Sequence, residues 1–109
     1  IYILNYISII KNVAVIMVNK NILKIRKKLD KLDNHFLNLI KKRTVLVNQV
    51  LKNKEFKKDI IDRKRIKIIL KNILKKSISK NIDPKITKKI WSSMIRAYID
   101  YEYRNFKKK

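Results

Sequence analysis

Four charged residues interrupt otherwise apolar helical faces in this sequence. Arg43 stands between Leu39 and Val47, Lys54 lies one turn beyond Val50, Arg65 one turn before Ile69, and Glu102 one turn after Tyr98. A charge among apolar neighbours costs on the order of several kcal/mol unless it is paired, so each needs a partner or a purpose. Taken singly, each reads as a rim residue whose stem carries its charge out to water. Taken together they describe three cations and one carboxyl around an apolar lining. Such a set suits a small dianionic ligand, because guanidinium groups bind carboxylates bidentately and keep their charge at any working pH. It does not suit hydrolysis: no nucleophile has an adjacent base, and no His or carboxylate pair is placed for proton transfer.

Composition narrows the chemistry further. The chain has no Cys, which excludes a disulfide framework and a thiolate metal site, and no Gly, which removes phosphate-cradling loops and strained nucleophile turns. His35 is alone and reads as a solvated surface residue. No metal and no cofactor is therefore expected. The formal net charge of +22 would ordinarily point to a polyanion. The Lys residues, however, are spread along every polar face apart from the terminal Lys107, Lys108 and Lys109. A bias toward Lys, Ile and Asn follows from an AT-rich genome as readily as from selection for nucleic acid.

The elements that must position these residues are helices. Leu23 to Lys54 contains no Pro or Gly, and apolar residues recur at helical spacing through Ile22, Ile25, Leu29, Leu32, Phe36, Leu39, Ile40, Leu46, Val47 and Val50. Eleven positions return almost to the same face, so Arg43 and Lys54 point into one interior about 16 Å apart along the axis. Arg26 lies about 25 Å from Arg43 and is turned by about 100°, so it cannot join the other two within one chain. The long helix is expected to fray after Lys54, where EFKKDIID loses the period. A second helix is expected to start near Asp59 or Asp62, with Ile66, Ile69, Leu70, Ile73, Leu74 and Ile78 as its apolar positions. Asp83-Pro84 marks the start of a third, with Asp as N-cap and Pro at the first helical position. Its inner side carries Ile86, Ile90, Trp91, Met94, Ile95, Tyr98, Ile99, Glu102 and Phe106. The fold class is all-α: one long helix, a shorter one and a medium one, with no strand signal.

Residues 1–18 are apolar but interrupted by Asn5, Lys11 and Asn12, and fit neither a spanning helix nor a signal peptide well. Met17 stands just before a polar patch and the main helix. Residues 1–18 are accordingly read as an N-terminal extension outside the natural protein rather than a membrane anchor, and residues 19–109 as the helical domain. A single helical layer of this size buries its apolar face best against another subunit.

The succession Arg26, LDKLD, Arg43, Lys54, Asp62 with Arg65, IDP, and a final helix ending in Glu102 closely resembles the all-helical chorismate mutases, over Leu23 to about Phe106. The resemblance implies three helices per subunit in an intertwined homodimer whose two active sites are shared between chains. By the same resemblance, Arg26 of one chain and Arg43 of the other hold the two substrate carboxylates, with Arg65 assisting. Lys54 donates to the ether oxygen together with Glu102, which must be protonated to donate, and Asp62 lies near the ring hydroxyl. The implied activity is the cytoplasmic rearrangement of chorismate to prephenate, within aromatic amino acid biosynthesis from the shikimate pathway.

Two positions depart from the usual pattern. Ile66 stands where the family usually has Glu directly after the second-helix Arg, and Tyr98 stands where many members have a small hydroxyl residue. Both resemble the branch of isochorismate pyruvate lyases, which form salicylate on the same scaffold. That lyase activity is the alternative reading. A rival from another class, a basic helical nucleic-acid-binding module, accounts for the charge. It leaves the placement of Arg43, Lys54 and Glu102 as accidents, and the sequence shows no basic stripe interleaved with exposed aromatics. The expected partners are thus a small-molecule substrate and a second copy of the chain, with no nucleic acid and no membrane.

Overall fold

A computed structural model describes residues 2–107 and, among them, contains no strand. Helix α1 runs Tyr2–Asn53, a 3₁₀ turn spans Lys57–Ile60, α2 runs Arg63–Ser79 and α3 runs Pro84–Asn105. The chain divides into two compact units, Ile1–Lys42 and Arg43–Lys109.

In the first unit α1 starts well before the expected Leu23, because nothing between Tyr2 and Leu23 breaks a helix: the interrupting residues are Asn, Ser and Lys, which cost little helix propensity and remove no backbone donor. By length and composition α1 is also long and apolar enough near its N-terminus to cross a membrane. From Asn5 to Lys42 every residue is exposed. A strict seam with a 3.5-residue period runs through Val15, Val18, Ile22, Ile25, Leu29, Leu32, Phe36 and Leu39, with Leu32 57% and Phe36 54% exposed.

The second unit holds the end of α1, the 3₁₀ turn, α2 and α3. α1 stops one residue before Lys54, whose N–H still closes a turn onto the Leu51 carbonyl at 3.2 Å. Asp59 sits in the 3₁₀ turn, its carboxylate accepting from the Phe56 N–H. Asp62 is the N-cap of α2, accepting from the Arg65 N–H at 3.0 Å. α2 closes with Asn81 in the left-handed region at φ 57°, where the Ile82 N–H reaches the Ser77 carbonyl and the Asn81 N–H the Ile78 carbonyl. This is a Schellman closure using Asn instead of Gly, which the chain lacks. Asp83 then caps α3, its carboxylate accepting from the Lys85 N–H, and Pro84 occupies the first turn.

The buried core is small: Leu51 and Ile60, with Ser77, Thr87 and Glu102 as buried polar residues. Ser77 and Thr87 satisfy each other across the α2–α3 hairpin at 2.7 Å. Trp91, Met94, Ile95, Tyr98, Ile99 and Phe106 are half-buried as the α3 pattern predicts. Ile86 and Ile90, expected on the same inner side, are exposed, as are Leu74 and Ile78 of α2. Two short helices and the end of a third offer too little surface to cover them.

Candidate active site

The end of α1, the 3₁₀ turn and loop before α2, the first turns of α2 and the C-terminal half of α3 line a cavity of about 310 Å³. Its walls are apolar, from Leu46, Val47, Val50, Ile60, Ile66, Ile69, Ile95 and Ile99, and its charges are Arg43, Lys54, Asp62, Arg65 and Glu102, with Tyr98 beside them. Of the eight residues singled out from the sequence, seven line this one cavity: Arg43, Lys54, Asp62, Arg65, Ile66, Tyr98 and Glu102. The eighth, Arg26, belongs to the other unit and is not among the lining residues.

Helical register on α1 accounts for the first two cations, since Arg43 and Lys54 stand eleven residues apart and share a face. Lys54 Nζ forms an ion pair with Glu102 Oε1 at 3.2 Å and donates to the Ile60 carbonyl at 3.2 Å. Glu102 is buried, at 7% exposure, and the ammonium compensates a carboxylate largely shielded from water. Arg43 is held differently. Its guanidinium carbon lies 5.6 Å from the centroid of the Tyr98 ring, a cation–π contact, while its Nε is buried without a hydrogen-bond partner. A buried guanidinium N–H left unpaired calls for an explanation, and an anionic ligand in the cavity supplies one. Asp62 and Arg65 are exposed at the mouth, where the Asp62 carboxylate already caps α2.

Among the described residues no group of His, Asp and Glu could hold a metal ion. What remains is a cation-rich, largely apolar cavity. It can bind and orient a small dicarboxylate and stabilise negative charge beside Lys54, with no group placed to form a covalent intermediate.

The family model for chorismate mutase type II matches residues 25–103. The chain belongs to the all-helical chorismate mutase family. No curated protein and no solved structure matches it significantly. Within this chorismate mutase domain, the matched region begins in α1 at residue 25 and ends in α3 just after Glu102, so it contains every residue that lines the cavity.

Sequence reasoning missed one wall of the cavity and two contacts behind it. Ile60, 2% exposed, supplies both a wall and the carbonyl that fixes Lys54, yet it sits in a stretch that reads as a polar linker. The only hint is the pair Ile60-Ile61 amid charged residues. Thr44 is hydrogen-bonded to the Tyr98 hydroxyl at 2.8 Å, and Asn48 accepts from the Tyr101 hydroxyl at 2.8 Å. Both pairs span more than fifty residues, and no local pattern announces them.

Proposed function

We propose that this chain is a chorismate mutase, rearranging chorismate to prephenate by a concerted shift. The observation that carries the reading is the convergence of Arg43, Lys54, Arg65 and Glu102 on one apolar cavity inside a chorismate mutase type II domain. Arg43 binds a substrate carboxylate, with Arg65 assisting. Holding both carboxylates folds the enolpyruvyl arm over the ring, a proximity effect. Lys54 donates to the ether oxygen as negative charge grows on it, which supports the transition state more than the ground state.

The second carboxylate is assigned to Arg26 of a second copy of the chain. The exposed seam from Val15 to Leu39 supports that assembly, because an apolar stripe of this length has the repeat that pairs helices. Activity in the cytoplasm, where such a substrate arises, is part of the same reading.

A second reading is favoured by two specific residues. Ile66 and Tyr98 both line the cavity, and both resemble the isochorismate pyruvate lyase branch. The deciding experiment incubates the purified protein with chorismate and with isochorismate in parallel and resolves prephenate, salicylate and pyruvate by chromatography. Prephenate from chorismate alone supports the mutase; salicylate with pyruvate from isochorismate replaces it with the lyase; no product from either overturns both.

A further inference from the structure

Thr44 follows Arg43 on α1 and is not among the residues that line the cavity. Its hydroxyl nevertheless reaches the Tyr98 hydroxyl at 2.8 Å, in a half-buried contact between α1 and α3. The Tyr98 ring is thereby fixed from three sides. Its hydroxyl is engaged by Thr44. One flank meets the Tyr101 ring edge-to-face, with centroids 6.3 Å apart and planes at 82°. Its face lies under the Arg43 guanidinium at 5.6 Å. Tyr101 is itself tied to α1 by its hydroxyl, which donates to Asn48 Oδ1 at 2.8 Å. The two tyrosines of α3 are therefore each hydrogen-bonded to α1, at two positions one turn apart.

We propose that Thr44 is a positioning residue for the substrate-binding Arg43: by latching the Tyr98 hydroxyl to α1 it sets the ring face on which the guanidinium rests, and so aims the guanidinium fork into the cavity. Two consequences follow from the geometry. The hydroxyl of Tyr98 is drawn toward α1, so the ligand meets the ring of Tyr98 and not its polar end. And because the guanidinium rests against a neutral face, its N–H groups stay available to a carboxylate, in keeping with the unpaired buried Nε. An acidic residue in that place would hold Arg43 equally well but would consume the donors the ligand needs.

The inference rests on the reading of the cavity as a dicarboxylate site, and the test separates the two. Steady-state kinetics with chorismate and isochorismate are run for wild type, Thr44→Val, Thr44→Ser, Tyr98→Phe and Thr44→Val/Tyr98→Phe, alongside NMR of the Arg43 Nε–H resonance. Thr44→Val removes the hydrogen bond to Tyr98 and keeps the shape. It is expected to raise KM about tenfold with kcat changed by no more than about twofold, and to shift the Arg43 resonance away from its ring-shielded position. Thr44→Ser restores both, and the double variant loses less than the sum of the two singles, because both substitutions break the same bond. A Thr44→Val protein with wild-type KM and an unmoved Arg43 resonance overturns the latch. A moved resonance with unchanged KM overturns the positioning role. If wild type turns over neither substrate while the resonance still moves in Thr44→Val, the functional reading fails and the latch stands as a structural contact alone.

Discussion

Replacing Lys54 by Met removes the ammonium and keeps most of the stem, so its effects on stability and on turnover can be separated. In the folded chain the Lys54 side chain is 18% exposed and Glu102 9%, with 3.2 Å between Nζ and Oε1. Removing one member of a fully buried pair costs about 3–5 kcal/mol, because the other charge is left without compensation. Lys54 keeps some contact with water, which places the expected loss at or just below the bottom of that range, about 2–3 kcal/mol, and thermal unfolding measures it. Turnover should fall for a different reason. A donor aimed at an oxygen that gains charge in the transition state is worth about 3 kcal/mol, or two to three decades in rate. A double variant, Lys54→Met/Glu102→Leu, removes both charges and fills the space with apolar atoms. It should recover most of the stability, since replacing an ion pair by well-packed apolar groups is close to neutral, and none of the activity. Chorismate consumption followed by absorbance, beside a melting curve, decides the matter. Wild-type turnover in Lys54→Met, or turnover restored in the double variant, would refute the assignment of Lys54 to the reacting oxygen.

Arg43→Lys keeps the charge but loses the bidentate fork and its seat on Tyr98, so affinity for a dicarboxylate should fall at least tenfold, as read by calorimetry. Glu102→Gln tests the donor role: the amide carries an N–H donor without needing a proton, so it should keep kcat within about tenfold of wild type in steady-state kinetics. A Glu102→Gln protein without turnover would remove the donor role and leave Glu102 as the acceptor that holds Lys54. Asp62→Ala removes the α2 cap and should cost about 1 kcal/mol of stability in thermal unfolding. Titration against duplex RNA or DNA should show only weak binding at physiological salt; tight binding with a steep salt slope would favour the nucleic-acid module instead.

The helical class and the α3 start were legible because their signals are local. Asp83-Pro84 acts on backbone groups two residues away, so spacing alone identifies it, whereas for α2 spacing left Asp59 and Asp62 as equal candidates and the structure takes Asp62. The shared face of Arg43 and Lys54 was legible for a similar reason, since helical register is arithmetic. The start of α1 was not, because a change from apolar to polar composition near residue 18 looks like a boundary while the backbone meets no obstacle there. Ile60 and Thr44 were illegible for a third reason. The 2% exposure of Ile60 and the Thr44–Tyr98 bond depend on how α3 lies against the end of α1, a relation between segments 54 residues apart in the case of Tyr98. Ile86 and Ile90 carry the opposite lesson, that a correct helical period says which residues share a face but not whether anything covers it.

The second copy proposed above would answer both the uncovered apolar surface and the need of a dicarboxylate for cations at both ends. A substrate with two carboxylates needs cations at both ends, and in one chain the cavity offers Arg43, Lys54 and Arg65, of which Lys54 is already committed to Glu102. Covering the α1 seam with the seam of a second copy buries apolar side chains now about half exposed, each contributing on the order of 1 kcal/mol, and carries a second Arg26 along with it. Opposing this is the net charge of +22 on each copy, whose repulsion grows as salt is removed. Assembly and activity should therefore decline together as ionic strength falls, with sedimentation and turnover tracking one curve. A monomer that keeps full turnover at low salt would show that Arg26 of a second copy has no part in the site.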